Sequence, residues 1–201
     1  MKAIFYDWGG LNVWLFHLIN NIRFEFLDKI MLTGTTLGAH ELFGPYLALL
    51  SVFCLIMLLK DKTNTLSRSK VIFWISPIMI FSIGYILDAS FVGAVKVLLD
   101  FPRPPLALGV EAVNIVGRAE FHHSFPSGHS SFAMLMLGSI WSLLIAPWQK
   151  VIGIIFVIWV GLSRISLGAH FPADVLAGWL SSLIIVIFAR YIINYYLTKK
   201  I

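Results

Sequence analysis

Repeated apolar runs of membrane length constrain this chain more than any other feature. A helix needs about 20 apolar residues to cross a bilayer core. Runs of that order cover residues 42–59, 71–92, 130–146, 151–167 and 172–197, with polar or proline-bearing stretches between them. Inside lipid the backbone must satisfy its own hydrogen bonds, so such runs are read as helices. The chain is 59% hydrophobic and 12% charged, whereas soluble domains carry about 25% charge. The expectation is an all-α, polytopic membrane helix bundle with five transmembrane helices, forming a single domain over residues 1–201.

Residues 1–40 are mixed. Leu11, Trp14, Leu15, Leu18, Ile19 and Ile22 recur at helical spacing with Asn12, Asn20 and Arg23 elsewhere, which predicts a helix lying in the membrane interface. A cleaved leader is not expected, because Asp7 and Trp8-Gly9-Gly10 break the apolar stretch. Thr33-Gly34-Thr35-Thr36-Leu37-Gly38 is a poor helix interior and predicts a bend. A sixth span within residues 10–40 would change only the side on which the N-terminus lies. The single cysteine, Cys54, excludes an intrachain disulfide.

Basic residues set the orientation, since short cytoplasmic loops are enriched in Lys and Arg. Lys60, Lys62, Arg68 and Lys70 share one loop, Lys150 follows the third span, and Lys199 and Lys200 end the chain. Five spans put these three regions on one side, expected to be cytoplasmic. The long loop at residues 93–125 and the turn at 168–172 then lie outside. The net charge of +5 is accounted for by this placement, and no nucleic-acid partner is expected.

Three polar blocks interrupt the apolar pattern, and all fall on that outer side. Lys96 closes the second span, and Arg103 follows between Pro102 and Pro104, which hold its backbone extended. Arginine offers a planar fork for two phosphate oxygens and lysine a point charge. Phe125-Pro126-Ser127-Gly128-His129 precedes the third span. A helix N-terminus offers free N–H groups to an anion, Ser127 adds a hydroxyl, Gly128 opens the backbone to a ligand, and His129 titrates near neutrality. Ser163-Arg164 and then His170 and Asp174 flank the start of the fifth span, with Pro172 fitting its first turn. An intramembrane arginine is costly unless functional. Asp174 is placed to accept a hydrogen bond from one ring nitrogen of His170, leaving the other as an outward-facing lone pair.

Together the three blocks resemble the type 2 phosphatidic acid phosphatase (PAP2) superfamily, which also includes bacterial acid phosphatases and vanadium haloperoxidases. The family pattern is Lys-six-Arg-Pro, Pro-Ser-Gly-His and Ser-Arg-five-His-three-Asp. Lys96, Arg103, Pro104, Pro126, Ser127, Gly128, His129, Ser163, Arg164, His170 and Asp174 match it without substitution, within a motif core at about residues 85–180. The resemblance implies that His170 attacks phosphorus to form a phosphohistidine, that Asp174 orients it, and that His129 protonates the leaving oxygen and then activates water. It implies that Lys96, Arg103, Ser127, Gly128 and Arg164 hold the phosphoryl oxygens. Neither a metal nor another cofactor is expected, and no carboxylate cluster or His/Cys set suggests one.

A site at the bilayer surface suits a lipid phosphate that enters sideways with its tail in the membrane. The compact chain is similar to undecaprenyl pyrophosphate phosphatases of cell-wall lipid recycling, and phosphatidylglycerophosphate, phosphatidate and lipid A phosphatases share the motifs. The expected location is a bacterial inner membrane with the active site facing the periplasmic or extracellular side. Outside the motifs, His122 and His123 are read as solvent-facing loop residues. Asp88 is read as pairing with Lys96 or facing water. His40 and Glu41 begin the first span and are read as an interfacial helix start or as lining a headgroup site.

Overall fold

A computed structural model describes residues 6–60 and 67–198. Lys62, Lys199 and Lys200 lie outside the described residues. Eight α-helices are described: α1 (Leu11–Asn20), α2 (Glu25–Leu37), α3 (Phe43–Lys60), α4 (Arg68–Leu99), the short α5 (Pro104–Leu108), α6 (Gly128–Ile140), α7 (Pro147–Ser166) and α8 (Pro172–Thr198). Helices α3, α4, α7 and α8 are long and apolar enough to cross a membrane by length and composition.

The third expected span, residues 130–146, is shorter than its apolar run. Helix α6 stops at Ile140, a 3₁₀ turn covers Trp141–Leu143, and the chain is extended at Leu144 before Pro147 opens α7. This is the innermost helix, packed on α8, α4 and α7. Ile80, Phe81, Phe132, Leu135, Val186, Ala189 and Ile193 form the core between α4, α6 and α8.

The second span runs past its expected end near Val92. Helix α4 continues to Leu99, because Gly93 alone does not break it, and Asp100 ends it in a left-handed conformation (φ 39°) ahead of Pro102. Its 32 residues rise about 48 Å, more than a bilayer core of about 30 Å, so the helix is longer than an upright span needs.

The bend expected at 33–38 is absent, and α2 is helical through Leu37. Thr33 and Thr36 return their hydroxyls to the carbonyls of Lys29 and Leu32, and Gly34 lies against the Trp159 ring, 2.9 Å from where a Cβ would sit. Packing on α7 thus overrides weak local propensity. Helix α1 also turns the other way from a simple apolar-face reading. Asn12, Phe16 and Asn20 are buried against the protein, while Leu11, Trp14 and Leu18 face outward, as suits a helix with lipid on its apolar side.

Candidate active site

Arg103 sits where two chain segments are tied together. Its backbone N–H donates to Phe121 O, and Ser124 N–H donates to Phe101 O, so the loop at 121–124 lies beside the first motif. The guanidinium is nearly buried. It donates from Nε to His122 O at 2.9 Å, pairs through Nη2 with Glu120 at 2.6 Å, and places Nη1 3.4 Å from His170 Nε2. Lys96 Nζ donates to His123 O at 2.6 Å. His122 and His123 are therefore exposed loop residues whose imidazoles lie near Asp100, while their main-chain carbonyls hold the two cations.

Ser127 starts α6 but does not cap it through its side chain. Its N–H donates to Asp174 O at 2.9 Å, and its hydroxyl accepts from Ser130 at 3.0 Å. Second and third motifs are thus joined backbone to backbone. The space beside Gly128 is filled by protein: a Cβ there would lie 2.9 Å from His40 Nε2. His40 also faces the His129 ring at 6.5 Å and the Phe132 ring at 5.0 Å, so it belongs to the site wall rather than only to the start of α3. Asp88 does neither of the things expected of it. It is fully buried and accepts hydrogen bonds from Ser131 and Ser182, linking α4 to α6 and α8.

Arg164 lies in the last turn of α7. Nη1 donates to the Thr35 hydroxyl, while Nε is buried without a partner. An unsatisfied buried donor is costly, and this one lines a polar cavity of about 370 Å³ with Thr35, Arg118, Glu120, His129 and Gly168. Gly168 takes a left-handed turn (φ 77°) against Asn114 O, which leaves no room for a Cβ. That turn sends His170 back under Arg164, whose carbonyl accepts from both Ala169 N and His170 N.

His170 Nδ1 lies 3.3 Å from Asp174 Oδ2. The carboxylate is an acceptor, so it takes the proton on Nδ1 and leaves the lone pair on Nε2. That lone pair does not face outward as expected. His170 is buried, and Nε2 points at Arg103. Burial, then Arg103, Arg164 and Lys96, hold the imidazole well below its usual pKa. It is therefore neutral at neutral pH, the form a nucleophile needs.

The structure brings Lys96, Arg103, Ser127, Gly128, His129, Arg164, His170 and Asp174 to one end of the bundle. Sequence reasoning missed Tyr6, Thr35, Glu120 and Ser124. Ser124 donates to Asp174 Oδ2 at 2.5 Å and Tyr6 to Oδ1 at 2.7 Å. No spacing rule connects Tyr6 to a residue 168 positions away; only the fold does.

Membrane-length helices thus surround a cation-lined histidine–aspartate pair. Residues 77–197 match the PAP2 superfamily, and the chain belongs to it. An undecaprenyl-diphosphatase of Sulfolobus acidocaldarius is 29% identical over 172 residues, covering 85% of this chain and 73% of that protein. A lipid A 1-phosphatase of Rhizobium etli is 39% identical over 79 residues, covering 37% of this chain and 33% of that one. Among solved structures, LpxE of Aquifex aeolicus superposes with a TM-score of 0.68 at 27% identity, covering 89% of this chain and 94% of that one. A phosphatidylglycerolphosphate phosphatase of Bacillus subtilis gives 0.67 at 20% identity over 92% and 85%, a likeness of fold alone. The protein is an integral membrane lipid phosphatase of this superfamily.

Proposed function

We propose that the protein converts undecaprenyl pyrophosphate to undecaprenyl phosphate through a phosphohistidine on His170. The observation that carries the mechanism is the buried His170 held between Asp174 at Nδ1 and Arg103 at Nε2. In the first step Nε2 attacks the terminal phosphorus. The bond from phosphorus to the bridging oxygen breaks, and His129 gives that oxygen a proton. Burial and then Arg164 push the His129 pKa down to about 3 in this structure, so it takes up that proton only with the anionic substrate bound beside it. Water then loses a proton to His129 and attacks phosphorus, the P–N bond breaks, and inorganic phosphate leaves. Lys96, Arg103, Arg164, Ser127 and the Gly128 N–H stabilise the charge on the transferring group. Glu120 pairs with Nη2 of Arg103 at 2.6 Å and so competes with the phosphate for that donor.

The relative matched over most of both chains favours the diphosphate of a carrier lipid. The higher identity of the shorter match favours a lipid A phosphate as the second reading. Purified protein in detergent, given undecaprenyl pyrophosphate, lipid A, phosphatidylglycerophosphate and phosphatidate with and without EDTA, separates these. The expected outcome is fastest phosphate release from undecaprenyl pyrophosphate, unaffected by EDTA and abolished by His170→Ala. Preference for lipid A would select the second reading, and activity lost to EDTA would defeat the metal-free route.

The same reading places the site outside the cytoplasm, in a bacterial inner membrane. Arg68 and Lys150 stand at the helix ends opposite His129 and His170, with Lys60 closing α3, and basic ends face the cytoplasm. In a Cys54→Ala background, Glu111→Cys should react with an impermeant thiol reagent on intact spheroplasts and Ser69→Cys only after lysis. The opposite pattern would move the substrate to the cytoplasmic leaflet.

A further inference from the structure

The catalytic pair is completed by a residue from the N-terminal segment, outside all three motifs. Asp174 is fully buried, so both carboxylate oxygens need donors from the protein. Oδ2 accepts from Ser124 Oγ at 2.5 Å, Phe171 N at 2.9 Å and His170 Nδ1 at 3.3 Å. Oδ1 accepts from the Tyr6 hydroxyl at 2.7 Å.

The Tyr6 ring touches a phenylalanine in or beside each motif. It meets Phe101 edge-on at 4.7 Å, Phe125 at 5.9 Å and Phe171 at 6.0 Å. Phe101 is one residue before Pro102-Arg103, Phe125 directly precedes Pro126, and Phe171 follows His170. One ring thus keys three loops that are distant in sequence, and its hydroxyl reaches the carboxylate at their junction.

Neighbouring residues brace the same turn. Asn12 Oδ1 accepts from Ala173 N at 2.9 Å, and Asn20 Nδ2 and Arg23 Nη1 both donate to Ser166 O. The two ends of the 166–173 turn are therefore pinned by α1 and the residue that follows its end region. Burial and then the Asp174 charge push the Tyr6 hydroxyl far above its usual pKa, so it stays a proton donor over the whole working range.

We propose that Tyr6 is a positioning residue for catalysis: by holding Oδ1 of Asp174 it turns Oδ2 toward His170 Nδ1 and so fixes the line of attack of Nε2. This rests on the reading above in which Asp174 orients a His170 nucleophile. Tyr6→Phe keeps the ring and removes only the hydroxyl. With the most rapidly cleaved lipid of the panel, kcat should fall about tenfold to 100-fold, the change matching one lost bond to a buried charged group. KM should stay within about twofold; the melting temperature should fall modestly, because a buried carboxylate oxygen loses its donor, so kcat per folded molecule is the deciding readout.

A purely structural anchor would lower thermal stability with kcat per folded molecule unchanged, and that result would overturn the proposal. Wild-type kcat in Tyr6→Phe would overturn it equally. Tyr6→Ala, which also removes the ring, should lose at least as much activity as Tyr6→Phe; a kcat in Tyr6→Ala above that of Tyr6→Phe would contradict a role for the placed hydroxyl. His170→Ala, assayed beside them, separates the two levels. Activity retained in His170→Ala would defeat the nucleophile reading itself, whereas an inactive His170→Ala with a fully active Tyr6→Phe would defeat only the role of Tyr6.

Discussion

Helices α3 and α6 are both strongly apolar, yet one lies at the edge of the protein and the other at its centre. In α3 the buried residue is Cys54, and Leu49, Leu55 and Leu59 are more than half uncovered by protein. In α6, Ser130, Ser131, Phe132, Ala133, Leu135, Leu137 and Ser139 are all buried. Lipid is as apolar as leucine, so hydrophobicity does not draw a helix inward here. Small residues and interhelical hydrogen bonds do. Helix α6 carries them: Ser131 reaches Asp88 on α4, and Gly138 lies under Val186 of α8. Its central position also carries Gly128 and His129 to the meeting point of α4, α7 and α8.

The same Gly→Ala change at three places sharpens this contrast. Gly161→Ala should be the most damaging, because the new Cβ would lie 2.3 Å from the Trp179 ring and 2.7 Å from Val175, forcing α7 and α8 apart one turn from Arg164. Overpacking of this kind costs about 1–3 kcal/mol or more. Gly138→Ala should cost less, within about 1–3 kcal/mol, since both Val186 methyls lie at 2.9 Å. Gly44→Ala, with nothing within 4 Å, should be neutral or stabilising by up to about 1 kcal/mol through helix propensity. Thermal unfolding in detergent measures the order. A Gly44 variant as damaging as the Gly161 variant would mean that α3 is packed against something beyond this chain.

Much of this architecture was legible in the sequence. Long apolar runs marked α3, α7 and α8, and Pro147 and Pro172 marked helix starts. The three polar blocks marked residues that the fold gathers at one end of the bundle, and Gly168 marked the turn that returns His170 to that cluster. What was not legible depended on tertiary contact. The Thr-Gly-Thr-Thr stretch of α2 reads as a bend until Trp159 packs against Gly34. Asn12 and Asn20 read as the wet face of α1 until they are found bonded to the 166–173 turn. Asp88 reads as a partner for Lys96 because the two are eight residues apart on one helix, but Ser131 and Ser182 from other helices reach it. Lipid blurred a further signal: with an apolar solvent outside, the hydrophobic pattern says which residues are in the membrane and not which face the protein.

The central claim is that His170 Nε2, presented by Asp174 and flanked by Arg103, is the atom that attacks phosphorus. Its most direct test is to trap the intermediate. In His129→Ala, undecaprenyl pyrophosphate labelled in its terminal phosphate should still form the intermediate, because undecaprenyl phosphate can leave as an anion without the proton from His129, but should release it slowly, because the group proposed to activate water is gone. Acid quenching is replaced by alkaline denaturation, which preserves phosphohistidine, and the labelled peptide is sequenced by mass spectrometry. Label on His170, stable to base and lost in acid, and absent from His129→Ala/His170→Ala, is the expected result. Label on another residue, or label that persists when His170 is removed, would contradict it.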